Sequence, residues 1–208
     1  GPGFQIAVII FIAGVFIRIA EILLLGRKTN LAEAKGSEMS SGLRTIITRS
    51  FPDKGTLQRS PFTVVAGYIF HIGLFVTIFF FAPHILMFKD VIGVSWPSLP
   101  TAVVDAVTVV SIIALLAILV HRMRNTVLRF LTTTEDYLVW LLTILPLITG
   151  YVAFHRMGMT APTLLAIHIL SVELLLVVFP FTKLMHTFTV LLSRWYGGAI
   201  AGYRGVKS

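Results

Sequence analysis

The stretch at positions 71–84, HIGLFVTIFFFAPH, is apolar almost throughout, yet it carries an imidazole at each end. A polar ring placed in hydrocarbon costs free energy unless a partner compensates its lost hydration. The stretch lies in an apolar run that begins near Pro61. It reads as the interior of a membrane-crossing helix that holds something at two depths.

The rest of the chain agrees with a membrane setting. Of 208 residues, 56% are hydrophobic and 12% charged, and the mean hydropathy is +0.91. A soluble domain of this length has too much surface to bury that much apolar area. The formal charge of +8 comes from basic residues dispersed through short loops, which fits membrane topology and not a phosphate-binding face, so no nucleic-acid partner is expected. Cysteine is absent, which excludes disulfides, thiolate-bound iron–sulfur clusters and covalent c-type haem within the chain. The first apolar run has no basic segment before it and no small-residue cleavage site, so it reads as a retained helix and not a signal peptide.

Five apolar segments are expected to span, at 4–25, 61–88, 101–120, 135–154 and 162–192. Ser60 and Pro61 form a start signal for the second, and the fifth is longer than a bilayer requires. The expectation is an all-α, polytopic single membrane domain with one sizeable polar loop at 26–60, whose GSEMSSG core reads as flexible. Seven basic residues fall in that loop (Arg27, Lys28, Lys35, Arg44, Arg49, Lys54 and Arg59). Three more fall between spans three and four and four at the C-terminal end, against only Lys89 and Arg156 on the other side. The Lys/Arg bias therefore puts the N-terminus outside and the C-terminus in the cytoplasm. No internal repeat is visible, which argues against an inverted-repeat transporter.

Six histidines occur: His71, His84, His121, His155, His168 and His186. Spans two and five carry two each and run in opposite directions, so His71 and His186 fall near the cytoplasmic side and His84 and His168 near the outer side. Two cross-helix pairs at two depths match the needs of two bis-histidine b-type haems. His168 and His186 are five helical turns apart and share a face, while His71 and His84 are about 20 Å apart along an ideal helix. Thirteen residues is not a whole number of turns, so Pro83 must kink the helix to align the second ring. His155 is the substitute for His84.

The segment YIFHIGLF at 68–75, the His168/His186 pair and the five-helix layout resemble the gamma subunit of respiratory nitrate reductases. They are equally similar to its relatives, the membrane cytochromes b of sulfite-reductase-associated and heterodisulfide-reductase-like complexes. The resemblance covers most of the chain. It implies an inner haem b on His71 and His186 and an outer haem b on His84 and His168. It also implies a membrane quinone, menaquinone or ubiquinone, reacting near the outer haem. A cytoplasmic iron–sulfur subunit, heterodisulfide-reductase-like or nitrate-reductase-beta-like, would exchange electrons at the inner one. Phe81 stands where the second ligand of the nitrate reductase subunits is expected, and the loop at 26–60 is long. Both departures favour the heterodisulfide-reductase-like relatives.

The outer-side polar residues Lys89, Asp90, Asp105, His155 and Arg156 lie at the depth where a quinol would need hydrogen-bond partners and a base; Lys89, Asp105 and His155 are the named candidates. Arg18 pairs with Glu21 at i, i+3 or meets a haem propionate. Glu173, between the two histidines of span five, is either hydrogen-bonded and neutral or part of a proton path. Trp96-Pro97 reads as an interface anchor, His121 as a cytoplasmic surface residue, and Phe75, Phe79, Phe80 and Phe81 as a lipid- or cofactor-facing strip. The expected function is the quinol-oxidising or quinone-reducing subunit of a respiratory complex in the cytoplasmic membrane of a prokaryote, with no complete activity alone. The competing class is a proton-coupled transporter or channel that uses the histidines and Glu173.

Overall fold

The computed structural model describes residues 1–26, 31 and 33–206, and no strand occurs among them. The helices are α1 (Pro2–Leu24), α2 (Glu38–Thr48), α3 (Lys54–Arg59), α4 (Pro61–Phe80), α5 (Ala82–Ile92), α6 (Thr101–Arg124), α7 (Thr126–Phe130), α8 (Thr134–Phe154), α9 (Ala161–Val178) and α10 (His186–Tyr203). Two 3-10 turns, Phe179–Phe181 and Lys183–Met185, lie between the last two. Five helices are long and apolar enough to cross a membrane: α1, α4, α6, α8 and α9. The chain is thus all-helical with five candidate spans, as the hydropathy pattern required. Arg27, Lys28 and Lys207, counted above in the charge asymmetry, lie outside the described residues.

By its internal packing the chain divides into two compact units, residues 60–175 and residues 1–59 with 176–208. In the first unit α4 and α6 meet through small residues. A Cβ added to Gly73 would collide with the Ser111 hydroxyl, so only glycine permits this approach. The Thr77 and Thr108 hydroxyls are 2.9 Å apart, and each also bonds a carbonyl one turn back, Gly73 and Val104. Trp140 of α8 donates its indole N–H to the Leu115 carbonyl of α6 at 2.9 Å. Phe70, Ala114, Leu115, Ile144 and Leu147 form the core where these three helices converge. At the other end of α6, Arg122 bonds Thr132 at 2.6 Å and approaches Asp136 at 3.6 Å.

The helix expected over 61–88 is interrupted. Phe81 leaves helical geometry (φ −83°, ψ 125°), and α5 restarts with Pro83 in its first turn. A proline there lacks an N–H and its ring excludes the carbonyl four residues earlier, at Phe79. Three carbonyls left over at the break find other donors. Thr77 takes the His84 ring N–H at 2.9 Å, Phe79 takes the Trp96 indole at 2.5 Å, and Phe80 takes the Leu99 amide at 3.0 Å. Trp96 is therefore a structural clasp within the fold.

In the second unit the long final helix expected over 162–192 is also broken. Pro180, fully buried, stops α9, and Thr182 is extended. The break is pinned by α1: a Cβ on Gly14 would lie 2.6 Å from Pro180, and Arg18 Nε donates to the Pro180 carbonyl at 3.3 Å. Phe11 packs edge-on against Phe179 at 5.2 Å. The loop at 26–60 is largely helical. Ser37 caps α2 by accepting from the Ser40 amide. Ser41, Gly42 and Thr45 then lie against Trp195, Gly198 and Gly202 of α10, closely enough that a Cβ on any of the three glycines would clash. The GSEMSSG segment reads as flexible by composition, and tertiary packing on α10 makes it a helix. Asp53 accepts from the Thr56 hydroxyl and amide at the start of α3, and these bonds hold its carboxyl below the usual range.

Candidate functional site

Within the unit formed by residues 60–175, His84 and His168 lie close together, their ring centroids 6.2 Å apart and their planes 17° from parallel. Each ring is oriented by its Nδ1. The His84 Nδ1 lies 2.9 Å from the Thr77 carbonyl, which can only accept, so Nδ1 carries the proton. The His168 Nδ1 lies 3.2 Å from the Thr149 hydroxyl. Thr149 donates to the Leu145 carbonyl at 2.8 Å, so its oxygen accepts from His168. Both imidazoles thereby keep the lone pair of Nε2 for another partner, the arrangement expected of metal-ligating histidines.

The neighbours of His168 explain its position. Gly150 leaves room for the ring, since a Cβ there would approach His168 Cε1 to 2.9 Å. Ser171, buried one turn along α9, donates to the His168 carbonyl at 2.7 Å and lies 2.9 Å from Thr149. Thr149 and Gly150 were not singled out in the sequence; a threonine and a glycine three and four residues after Pro146 in a span were the only signal. His84 is flanked by Phe81 at 5.3 Å, and Phe81 in turn packs on Phe154 at 4.9 Å.

Two imidazoles joined through one metal at about 2 Å per bond place their ring centres roughly 6 Å apart. The observed spacing and near-parallel planes fit that arrangement. Among the described residues no group of three or more His, Cys, Asp or Glu side chains gathers to hold a metal ion. A metal held here by protein side chains alone would be under-coordinated, so His84 and His168 would suit a metal carried in a group that supplies further donors of its own.

His155 has a different partner. At the C-terminal end of α8, its Nε2 lies 3.3 Å from Asp105 Oδ1 on the first turns of α6, and its ring packs on Tyr151 at 4.4 Å. The structure therefore brings together Asp105 and His155 as one pair and His84 and His168 as another. Lys89, exposed on α5, makes no ion pair with either among the described residues. His71 and His186 belong to different units. His71 donates Nδ1–H to Gly67 at 2.7 Å, and His186, the first residue of α10, donates to Lys183 at 2.7 Å. Arg18 bonds Glu21 at 2.9 Å besides Pro180. Glu173 is half-buried, and His121 packs on Phe62 at 4.6 Å.

No protein-family model matches the chain, and no solved structure does. A curated protein of Nitratidesulfovibrio vulgaris strain Hildenborough, described only as "Protein", is 38% identical over 137 residues, which is 66% of this chain. The aligned part is 60% of that relative's length, so the chain spans about three fifths of the protein it resembles.

Proposed function

We propose that the chain is a dihaem b-type cytochrome, the quinone-reactive membrane subunit of a respiratory redox complex in a prokaryotic cytoplasmic membrane. The observation that carries this reading is the His84–His168 pair, with rings 6.2 Å apart and nearly parallel. The orientation of both rings through Nδ1 supports it further. Haem b, when bound, supplies one-electron transfer at its iron. His84 and His168 would hold one such group through their Nε2 atoms, with Thr77 and Thr149 fixing the ring orientations. The resemblance assigns the other to His71 and His186. The Lys/Arg bias supports an outer position for the first site and a cytoplasmic one for the second.

Quinol oxidation at the outer side needs a group that takes protons. The His155–Asp105 pair can hold a proton at His155 Nε2 beside the carboxylate, and Phe81 with Phe154 separates it from the His84 ring. Lys89, exposed on α5, would serve as a cation for the quinone oxygen. Menaquinone and ubiquinone both fit this chemistry. Electrons leaving on the cytoplasmic side require an iron–sulfur partner subunit, since the chain has no cysteine of its own. The resemblance at 68–75 favours a heterodisulfide-reductase-like or nitrate-reductase-beta-like partner.

The test is the visible spectrum and pyridine haemochrome of the purified protein. Two haems b per chain and reduced b-type bands are expected, and a colourless preparation sinks the reading. Asp105→Asn should slow quinol oxidation several-fold with both haems retained; loss of haem in that variant would move Asp105 out of the quinone site.

A further inference from the structure

The helix α2 differs in kind from the five spans. Those are apolar on nearly every side, whereas α2 has two opposite faces of different character that serve different purposes. One, made by Ser41, Gly42 and Thr45, is consumed by packing on α10. The other is a line of large side chains at four-residue spacing, Met39, Leu43 and Ile47, which are 60%, 53% and 66% exposed. None of the described residues of its own unit covers them, and Phe51, just past the helix end, is 71% exposed as well. At 11 residues the helix is about 16 Å long, far short of the roughly 30 Å hydrocarbon core, so it cannot be a span.

Charge and tethering identify what covers this face. Arg44 and Arg49 flank the apolar line, and Lys54 and Arg59 follow on α3. Of the acidic residues nearby, Glu38 sits at the N-terminus of α2, where it complements the helix dipole, and Asp53 is bonded to Thr56; Glu33, outside the helices, is outnumbered by the cations. The segment is also tied to the membrane at both ends. Residues 25–37 join it to the end of α1, and Ser60 alone separates α3 from α4. A short helix with an exposed aliphatic line, basic flanks and two membrane-entering neighbours has the character of an interfacial helix.

We infer that α2 lies in the membrane surface, with Met39, Leu43 and Ile47 sunk at the headgroup–acyl boundary of an anionic leaflet and Arg44, Arg49 and Lys54 at the lipid phosphates. The helix α10 then rests on its opposite side. This inference holds whatever the histidines bind. It also limits a protein partner on this side of the membrane to surfaces other than the apolar face of α2.

The absence of cysteine makes the test direct. Single cysteines are placed in the full chain at Leu43 and Ile47, labelled with an environment-sensitive fluorophore, and reconstituted into phosphatidylcholine vesicles with or without phosphatidylglycerol. Thr48→Cys, on the polar side of α2, is the aqueous reference, and Phe75→Cys, exposed on α4, is the lipid reference. Quenching by nitroxide lipids labelled near the headgroup should be about threefold or more stronger at Leu43 and Ile47 than at Thr48, with iodide quenching reversed. Phosphatidylglycerol should widen the contrast, and Arg44→Gln with Arg49→Gln should narrow it. If the Phe75 label reports insertion while Leu43 and Ile47 are as open to iodide as Thr48 in both lipid mixtures, the inference fails and the face belongs to a protein partner. Met39→Cys gives the same reading should Leu43→Cys not assemble.

Discussion

At Phe81 the chain leaves helical geometry for one residue, whereas between α9 and α10 it does so over 179–185. Both breaks involve a proline, Pro83 and Pro180, and both have a histidine just downstream whose Nδ1–H takes one of the local carbonyls. They differ in how the remaining carbonyls are served and in what the histidine faces. The shorter break is closed by uncharged groups from its own connecting segment, Trp96 and the Leu99 amide. The longer one is closed by a charged side chain from a distant helix, Arg18. Beyond the first break a second imidazole stands opposite His84 within the same unit; beyond the second, His186 opens a helix. A histidine at a break is thus a capping group first. His168 beside it makes His84 a candidate ligand on geometry, whereas His186 is proposed as one on the resemblance alone.

Histidine replacements should break this comparison most strongly. If the proposed haem assignment holds, His168→Ala and His186→Ala should each halve the haemochrome per chain and leave the other haem's bands in place. His84→Ala should do the same as His168→Ala and lower Tm further, because Thr77 also loses its donor. Full haem loading in His84→Ala would transfer the ligand role to His155.

Glycine substitutions sharpen the comparison at smaller scale. Gly150→Ala puts a methyl 2.9 Å from the His168 ring, so overpacking of about 1–3 kcal/mol should outweigh the helix-propensity gain. Loss of the outer haem alone is the expected signature. Gly197→Ala on α10 meets nothing within 4 Å and should stabilise by roughly 0.5–1 kcal/mol. Equal Tm for the two variants would show that the His168 ring is not confined by Gly150.

The two closures can be compared directly. Trp96→Phe keeps the ring but orphans the Phe79 carbonyl where water is scarce, at a cost of about 1–2 kcal/mol. Arg18→Met should cost less than about 1 kcal/mol, because Arg18 is 46% exposed and its Glu21 pair 54%. Thermal melts of both variants in the same detergent give the ranking, and a reversed order contradicts it.

The smallest effect concerns Asp53. Its carboxyl is held below the usual value by the Thr56 hydroxyl first and the Thr56 amide second. A depressed folded-state pKa contributes stability that is fully present above the unfolded value, near 3.9, and disappears as pH falls through the folded value. Hydrogen exchange at the Thr56 amide should therefore show protection that is unchanged from neutral pH down to about 4 and declines only in stronger acid. Asp53→Asn should flatten that decline.

The spans were legible because twenty-residue apolar runs have few other uses, and a bend near Pro83 was legible from the proline and the thirteen-residue histidine spacing, although the loss of helix at Phe81 was not. The Thr182 break was not. Pro180 sits in an otherwise unbroken apolar run, and the eighteen-residue spacing of His168 and His186 suggested a continuous helix. The helix α2 was hidden for a different reason. Gly36, Ser37, Ser40, Ser41 and Gly42 have the composition of a loop, and only the glycines of α10, far away in the sequence, make those small residues an asset. At the site, His84 and His168 stood out as polar groups in apolar surroundings. Thr149 did not, because a threonine in a span ordinarily satisfies itself on the preceding turn, as this one also does.

The close contact of α4 with α6 bears on how the chain enters the bilayer. Gly73 against Ser111 and Thr77 against Thr108 join two segments that are successive spans in the sequence, and their hydroxyls already have backbone acceptors within their own helices. This interface therefore requires nothing synthesised after Arg124, and none of its polar groups waits in lipid for a later partner. The two can insert together as a finished hairpin during translation, presenting Leu115 and its neighbours as the seat onto which Trp140 of α8 later docks. Biogenesis of this unit thus has an order, set by which carbonyls and hydroxyls are satisfied first.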